Sequence, residues 1–163
     1  KLLDYRDETG KYDGIASIEM FEAVGEKYWP AYFSALQRCL IPGRSATLQI
    51  ITVREDRWEI YRKGVDFIQK YIFPGGMLPS PNVLRQEVAR AGLSYVTSIE
   101  FGESYSQTLR RWYQVFNEKW DQMADMGFDD RFRLMWNMYL TSCASTFSSG
   151  HCDVTQITIC KPL

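Results

Sequence analysis

The 163-residue sequence predicts an α/β layer fold of one domain's size. Three observations carry that prediction. Strand-like and helix-like segments alternate along the chain. Residues 46–53 form a β-branched, apolar run, the strongest strand signal in the sequence. Just before it, Trp29, Phe33, Leu36 and Leu40 recur at the spacing of one apolar helix face.

The elements follow in order. Residues 14–19 read as a short buried strand. Residues 26–40 read as a helix, which Pro42-Gly43 is expected to end. After the strand at 46–53, the charged and aromatic residues 54–70 predict a helical excursion. Ser80 is placed to cap a helix with Pro81 at its first position, and Gly92 to close it. Residues 94–101 alternate like a strand. Two long helices are expected over residues 106–126 and 130–147, then a last strand over 154–160. There is no low-complexity segment and no internal repeat.

Hydrophobic residues at 45% and charged residues at 24% are ordinary for a globular protein. Aromatics at 15% are high, which fits either a thick core or an aromatic-lined pocket for an apolar or cationic ligand. A net charge of -1 carries no nucleic-acid footprint. Cys39, Cys143, Cys152 and Cys160 show no C-x-x-C spacing, and His151 is the single histidine. No metal site is expected from so sparse a set, and reduced thiols suit a cytoplasmic protein. No apolar stretch reaches the length of a membrane span, and Lys1-Leu2-Leu3 runs straight into Asp4 without a signal-peptide pattern.

Several side chains could carry chemistry. Glu22 follows a strand, where open α/β sheets place ligands, among Met20, Phe21 and Val24. It is either a partly desolvated carboxylate with raised proton affinity or a helix-start acid stabilised by the dipole. Leu109, Trp112, Tyr113, Phe116, Trp120 and Met123 form a helical stripe in which five of six are expected to be packing. Tyr113 is either one more core aromatic or a phenol that donates to an anion. Glu19 is a solvated strand-end charge or a site residue. Residues 54–70 mix Arg54, Arg57, Trp58, Tyr61, Arg62, Lys63 and Lys70 with Glu55, Asp56, Glu59 and Asp66. That mixture favours a solvated face over an anionic-headgroup surface.

Three segments carry a resemblance. They are Ser17-Ile18-Glu19-Met20-Phe21-Glu22-Ala23-Val24-Gly25, the run from Phe67-Ile68-Gln69-Lys70-Tyr71-Ile72-Phe73-Pro74-Gly75-Gly76 to Ser80, and Thr108-Leu109-Arg110-Arg111-Trp112-Tyr113. In this order they closely resemble the cyclopropane-fatty-acyl-phospholipid synthase family, with the mycolic acid cyclopropane synthases. These are S-adenosylmethionine (AdoMet)-dependent class I methyltransferases. The resemblance covers almost all of the chain and implies the C-terminal half of a Rossmann-like sheet. Residues 54–80 would be an acyl-lipid insertion, and the half carrying an Asp-x-Gly-x-Gly-type loop would be missing. A half sheet leaves an open edge that a homodimer would cover.

The resemblance also implies a reaction and a site. The reaction is methylene transfer from AdoMet to the cis double bond of an unsaturated phospholipid acyl chain, with peripheral contact at the inner membrane face. Related outcomes are a methyl branch, a small-molecule substrate, or a non-catalytic module for the isolated chain. Glu22, Gln49, the Ile51 backbone and Tyr113 would hold a bicarbonate ion that acts as base. Gln49 stands where many relatives carry histidine, and an amide does not titrate near neutral pH. Asp4 and Tyr5 would lie beside the adenine, and Ile18 and Glu19 beneath the sulfonium. Phe21, Tyr71, Phe73, Trp112 and Tyr113 would offer π faces to a cation formed on the acyl chain.

Overall fold

The computed structural model describes residues 2–163. They form two compact units: the chain up to Glu100 together with Val154–Leu163, and Phe101–Asp153.

The first unit is built on a four-stranded sheet. Its strands are β1 (Tyr12–Ile18), β2 (Leu40–Val53), β3 (Ser94–Glu100) and β4 (Cys152–Cys160), in the order β1-β2-β4-β3. β1 and β2 are parallel, with Ile18 opposite Gln49, while β3 and β4 are antiparallel. The alternation expected of a strand is plain in β2, where Ala46, Leu48 and Ile50 are all buried. Val154, Ile157 and Ile159 of β4 are buried too.

Five α-helices join these strands: α1 (Phe21–Val24), α2 (Trp29–Cys39), α3 (Trp58–Lys63), α4 (Phe67–Tyr71) and α5 (Pro81–Arg90). Trp29, Phe33 and Leu36 turn inward from α2, as their spacing requires, with Tyr32 and Cys39 beside them. Ser80 caps α5 by accepting from the Val83 N–H, and its own hydroxyl donates to Glu55 Oε1 at 3.1 Å. Gly92 takes a left-handed φ of +72° just beyond the helix, the conformation that closes helices and that glycine adopts without steric cost.

Four expectations need correction. β1 is not a buried strand: Ile18 is 68% exposed, because β1 lies at a sheet edge and pairs only with β2 among the described residues. Pro42-Gly43 does not end the helix. α2 stops at Cys39 and the chain passes directly into β2. The register then skips from Tyr12–Leu40 to Gly14–Ser45, which leaves room for Pro42 and a left-handed Gly43 without breaking the ladder. The excursion after β2 is helical, as expected, but divides into two short α-helices separated at residues 64–66.

The second unit holds α6 (Gly102–Glu118), α7 (Trp120–Asp125) and α8 (Asp130–Ser148). The fourth correction is here: the first long helix divides at Lys119, where φ is -102° and ψ is 15°. Ser106, fully buried on α6, donates to the Ala144 carbonyl of α8 at 2.8 Å and ties the helices together. Leu109, Trp120, Leu140, Ala144 and Phe147 form the buried set around that bond. Trp112 and Tyr113 stay 52% and 37% exposed, so the apolar stripe is not uniformly packing. No helix among the described residues is long and apolar enough to cross a membrane.

Candidate active site at the carboxyl ends of β1 and β2

Because β1 and β2 are parallel, their carboxyl ends emerge side by side. Glu19 makes the exit from β1 with a φ of +51°, the left-handed region, and its N–H donates to the Gln49 carbonyl at 2.9 Å. That conformation is uncommon for a residue with a Cβ and is typical of functional turns. It feeds α1, whose first turn carries Glu22.

Glu22 Oε1 accepts from the Ile51 N–H at 2.5 Å. Glu22 Oε2 is buried with no hydrogen-bond partner among the described residues. Burial pushes the carboxyl up to about 7, with the Ile51 N–H pulling it down and nearby Glu19 adding to the rise. A carboxyl that is neither firmly ionised nor firmly neutral at physiological pH is suited to exchanging a proton.

The Gln49 side chain is fully engaged at both ends. Its Nε2 donates to Glu19 Oε1 at 2.7 Å, and its Oε1 accepts from Gln156 Nε2 at 2.9 Å. The amide of Gln49 turns its NH₂ toward Glu19, and the bond from Gln156 to its Oε1 fixes that orientation. Sequence reasoning missed Gln156. Gln156 is one of several polar residues in β4, beside Asp153, Thr155 and Thr158, and nothing local shows that β4 lies beside β2.

A cavity of about 620 Å³ lies on the β1 side, lined among others by Tyr5, Glu8, Ser17, Ile18, Met20 and Tyr32. Tyr5 meets Tyr32 edge-on at 5.8 Å, and the Tyr32 hydroxyl donates to Ser17 Oγ at 2.8 Å. Burial raises that phenol to about 12. Tyr5 and Ile18 thus both line a cavity. Asp4 is instead spent on Arg6, which it pairs with at 2.7 Å and which holds its carboxyl down at about 2.

The aromatic candidates separate by environment. Phe21 is fully buried, with ring centroids 5.0 Å from Trp29, 5.1 Å from Tyr32 and 5.4 Å from Phe33. Tyr71 and Phe73 are 52% and 55% exposed. Trp112 and Tyr113 lie on α6 of the second unit. Several cations of the 54–70 stretch are neutralised locally: Arg54 by Asp56, Arg62 by Glu26 and Lys63 by Glu59. Among the described residues no three His, Cys, Asp or Glu side chains cluster so as to hold a metal ion.

The mixed α/β fold with its four-stranded sheet is shared with solved class I methyltransferases. The structure of mycolic acid cyclopropane synthase CmaA1, complexed with SAH and CTAB, superposes with a TM-score of 0.85 at 27% identity, covering 95% of this chain and 57% of that one. The sequence profile of the mycolic acid cyclopropane synthetase family matches residues 1–157, and the chain belongs to that family of AdoMet-dependent methyltransferases. It is 41% identical over 161 residues to tuberculostearic acid methyltransferase UfaA1 of Mycobacterium tuberculosis, covering 98% of this chain and 38% of that protein. It is 35% identical over 159 residues to cyclopropane-fatty-acyl-phospholipid synthase of Escherichia coli K12, covering 96% and 39%. The chain therefore spans less than half the length of these two relatives.

Proposed function

We propose that a protein containing this chain transfers a one-carbon group from AdoMet to the double bond of an unsaturated phospholipid acyl chain and closes a cyclopropane ring. The observation that carries this reading is Glu22: a buried carboxyl at a strand end, one oxygen held by Ile51 and the other unpaired. Family membership and the synthase named at 35% identity support the substrate class.

AdoMet, when bound, supplies an electrophilic methyl on its sulfonium. Its adenine end is assigned to the cavity, and the lining by Tyr5 and by the hydrogen-bonded Ser17 and Tyr32 supports that assignment. Asp4, Ile18 and Glu19 complete the assigned cofactor set. Bicarbonate is assigned to Glu22 Oε2, a buried atom with no partner among the described residues, whose carboxyl, when protonated, donates to an anion. On the resemblance, Gln49, the Ile51 backbone and Tyr113 share that ion; here the Ile51 N–H and the Gln49 amide already hold Glu22 and Glu19 in place. Phe21, Tyr71, Phe73 and Trp112 are the assigned acyl-side aromatics. Replacing Tyr71 or Phe73 by leucine is expected to slow turnover roughly fivefold, the equivalent of about 1 kcal/mol of cation–π stabilisation. Unchanged rates in both variants would remove that role.

A second reading shares every residue and ends in a methyl-branched acyl chain. The relative at 41% identity, named a tuberculostearic acid methyltransferase, supports it. On their own these 163 residues are proposed to turn over negligibly, since no Asp-x-Gly-x-Gly-type loop occurs among them. The test is mass spectrometry of membrane fatty acids from cells expressing this chain within a protein of its relatives' length, beside a Glu22→Gln control. A ring-bearing chain lost in the control is the expected result. A saturated methyl branch selects the second reading, and unaltered lipids overturn both.

A further inference from the structure

The Pro74-Gly75-Gly76 turn supplies no group to the reaction above, yet it lies directly against the helix that carries Glu22. The Met77 N–H donates to the Glu22 carbonyl at 2.9 Å. A Cβ on Gly76 would stand 3.5 Å from that same carbonyl oxygen and 3.1 Å from the Phe73 carbonyl. A Cβ on Gly25, the residue after α1, would stand 3.3 Å from the Gly75 carbonyl. Gly75 has a φ of +82°. The backbones of turn and helix are thus in contact, and a side chain at Gly25 would crowd the turn.

α1 needs such support. It is four residues long, has no side-chain cap at its start, and ends at Gly25 with a φ of +78°. A single turn has little stability of its own, so its position is set by what packs on it. Phe21 anchors one side in the core. The turn holds the backbone of Glu22 itself.

The turn is in turn held by one side chain. Gln69 Nε2 donates to the Gly76 carbonyl at 3.2 Å. Gln69 Oε1 accepts from the Asp66 N–H at 3.0 Å, while Asp66 Oδ1 accepts from the Gln69 N–H at 2.8 Å. One amide therefore does two separable jobs. Its oxygen completes a capping box at the start of α4, and its nitrogen fixes the turn.

We propose that Gln69 is a positioning residue: acting through the Gly75-Gly76 turn and Met77, it holds α1 so that Glu22 stays aimed at the Ile51 N–H with its second oxygen sealed from water. This rests on Glu22 being the site carboxyl, as proposed above. The titratable groups beside Glu22 are Glu19, at the exit of β1, and the Tyr32 phenol on α2. Neither is on the turn, and the carboxylate that Gln69→Glu adds there would raise the midpoint of Glu22, opposite in sign to the fall that solvation gives.

The separating variant is Gln69→Glu. A carboxylate still accepts from the Asp66 N–H, so the cap survives, but it cannot donate to the Gly76 carbonyl. The readout is the ionisation midpoint of Glu22, taken from the infrared band of its protonated carboxyl as the difference between each background and the same background with Glu22→Gln. Gln69→Glu is expected to lower that midpoint by about one unit or more, a tenfold change in the protonation ratio, as water reaches Oε2. Asp66→Ala, which breaks the cap and leaves the Gly76 bond, is expected to lower the melting temperature and leave the midpoint in place. If Gln69→Glu does not fold, Gly76→Ala reads out the same link by crowding the Phe73 carbonyl within the turn, 3.1 Å from the new Cβ. Midpoints within about 0.2 unit of the parent in the folded variants overturn the assignment. The measurement uses no turnover, so it stays decisive if the lipid assay overturns the proposed reaction.

Discussion

Glu22→Gln is expected to make the protein more stable than its parent at pH 8, by about 2 kcal/mol, while abolishing product formation. The carboxyl moves from the 4.5 of a free glutamate to about 7 in the fold, chiefly through burial. Between those values the folded chain binds a proton that the unfolded chain has released. Stability from this group is therefore complete below pH 4.5 and is lost as pH rises through 7. At about 1.4 kcal/mol per unit, the loss approaches about 3.4 kcal/mol above pH 8. Glutamine never ionises, so it avoids the loss, but its NH₂ at the unpaired position lacks an acceptor and gives back about 1 kcal/mol. Asp4 and Asp56, both held low by neighbouring arginines, act in the opposite direction, so they are lost only on going acid. They are common to both proteins, and the variant-minus-parent difference isolates Glu22. Urea denaturation at pH 5, 6, 7 and 8 measures it. Parallel curves would show that Glu22 is solvated and would remove the desolvation account of the site.

How much of this was readable beforehand depends on whether the cause is local. The strand at 46–53 and the α5 cap at Ser80-Pro81 were legible because alternation, a capping hydroxyl and a first-turn proline act within a few residues. The inward face of α2 was legible for the same reason. Pro42-Gly43 misled because both residues break helices in isolation. Their tolerance inside β2 depends on a register skip against β1, which is a property of the pair. The exposure of β1 follows from its place at the sheet edge, which no residue of β1 records. At the site, Glu22 could be named from its position after a strand and from resemblance. Its bond to Ile51 needed the register of two strands, and the Gln156–Gln49–Glu19 chain needed the sheet order as well. Hydrogen bonds spanning 29 to 107 residues leave no spacing signal for a reader of one sequence.

Phe21→Ala is expected to lower stability by about 3–5 kcal/mol. Phe21 has no exposed surface. It stacks on Trp29 with an interplanar angle of 22°, meets Tyr32 edge-on and Phe33 at a tilt, and Trp29 stacks in turn on Trp58. Removing the ring deletes one wall of that cluster, and three rigid aromatic neighbours in contact collapse poorly into the space. The loss approaches the stability that small domains possess, so the alanine variant is expected to be partly unfolded at room temperature. Phe21→Leu, which keeps most of the apolar volume, is expected to cost only about 1–2 kcal/mol and to fold. The leucine variant then separates packing from chemistry. If the ring's work is to anchor α1, Phe21→Leu shifts the urea midpoint while product per folded molecule falls only modestly. If its π face also serves the acyl-side cation, turnover of the folded leucine variant falls by a further factor that the stability loss does not explain. A leucine variant with wild-type stability would contradict the packing account, because no cluster with centroids at 5.0 to 5.4 Å exchanges a flat ring for a branched chain without loss.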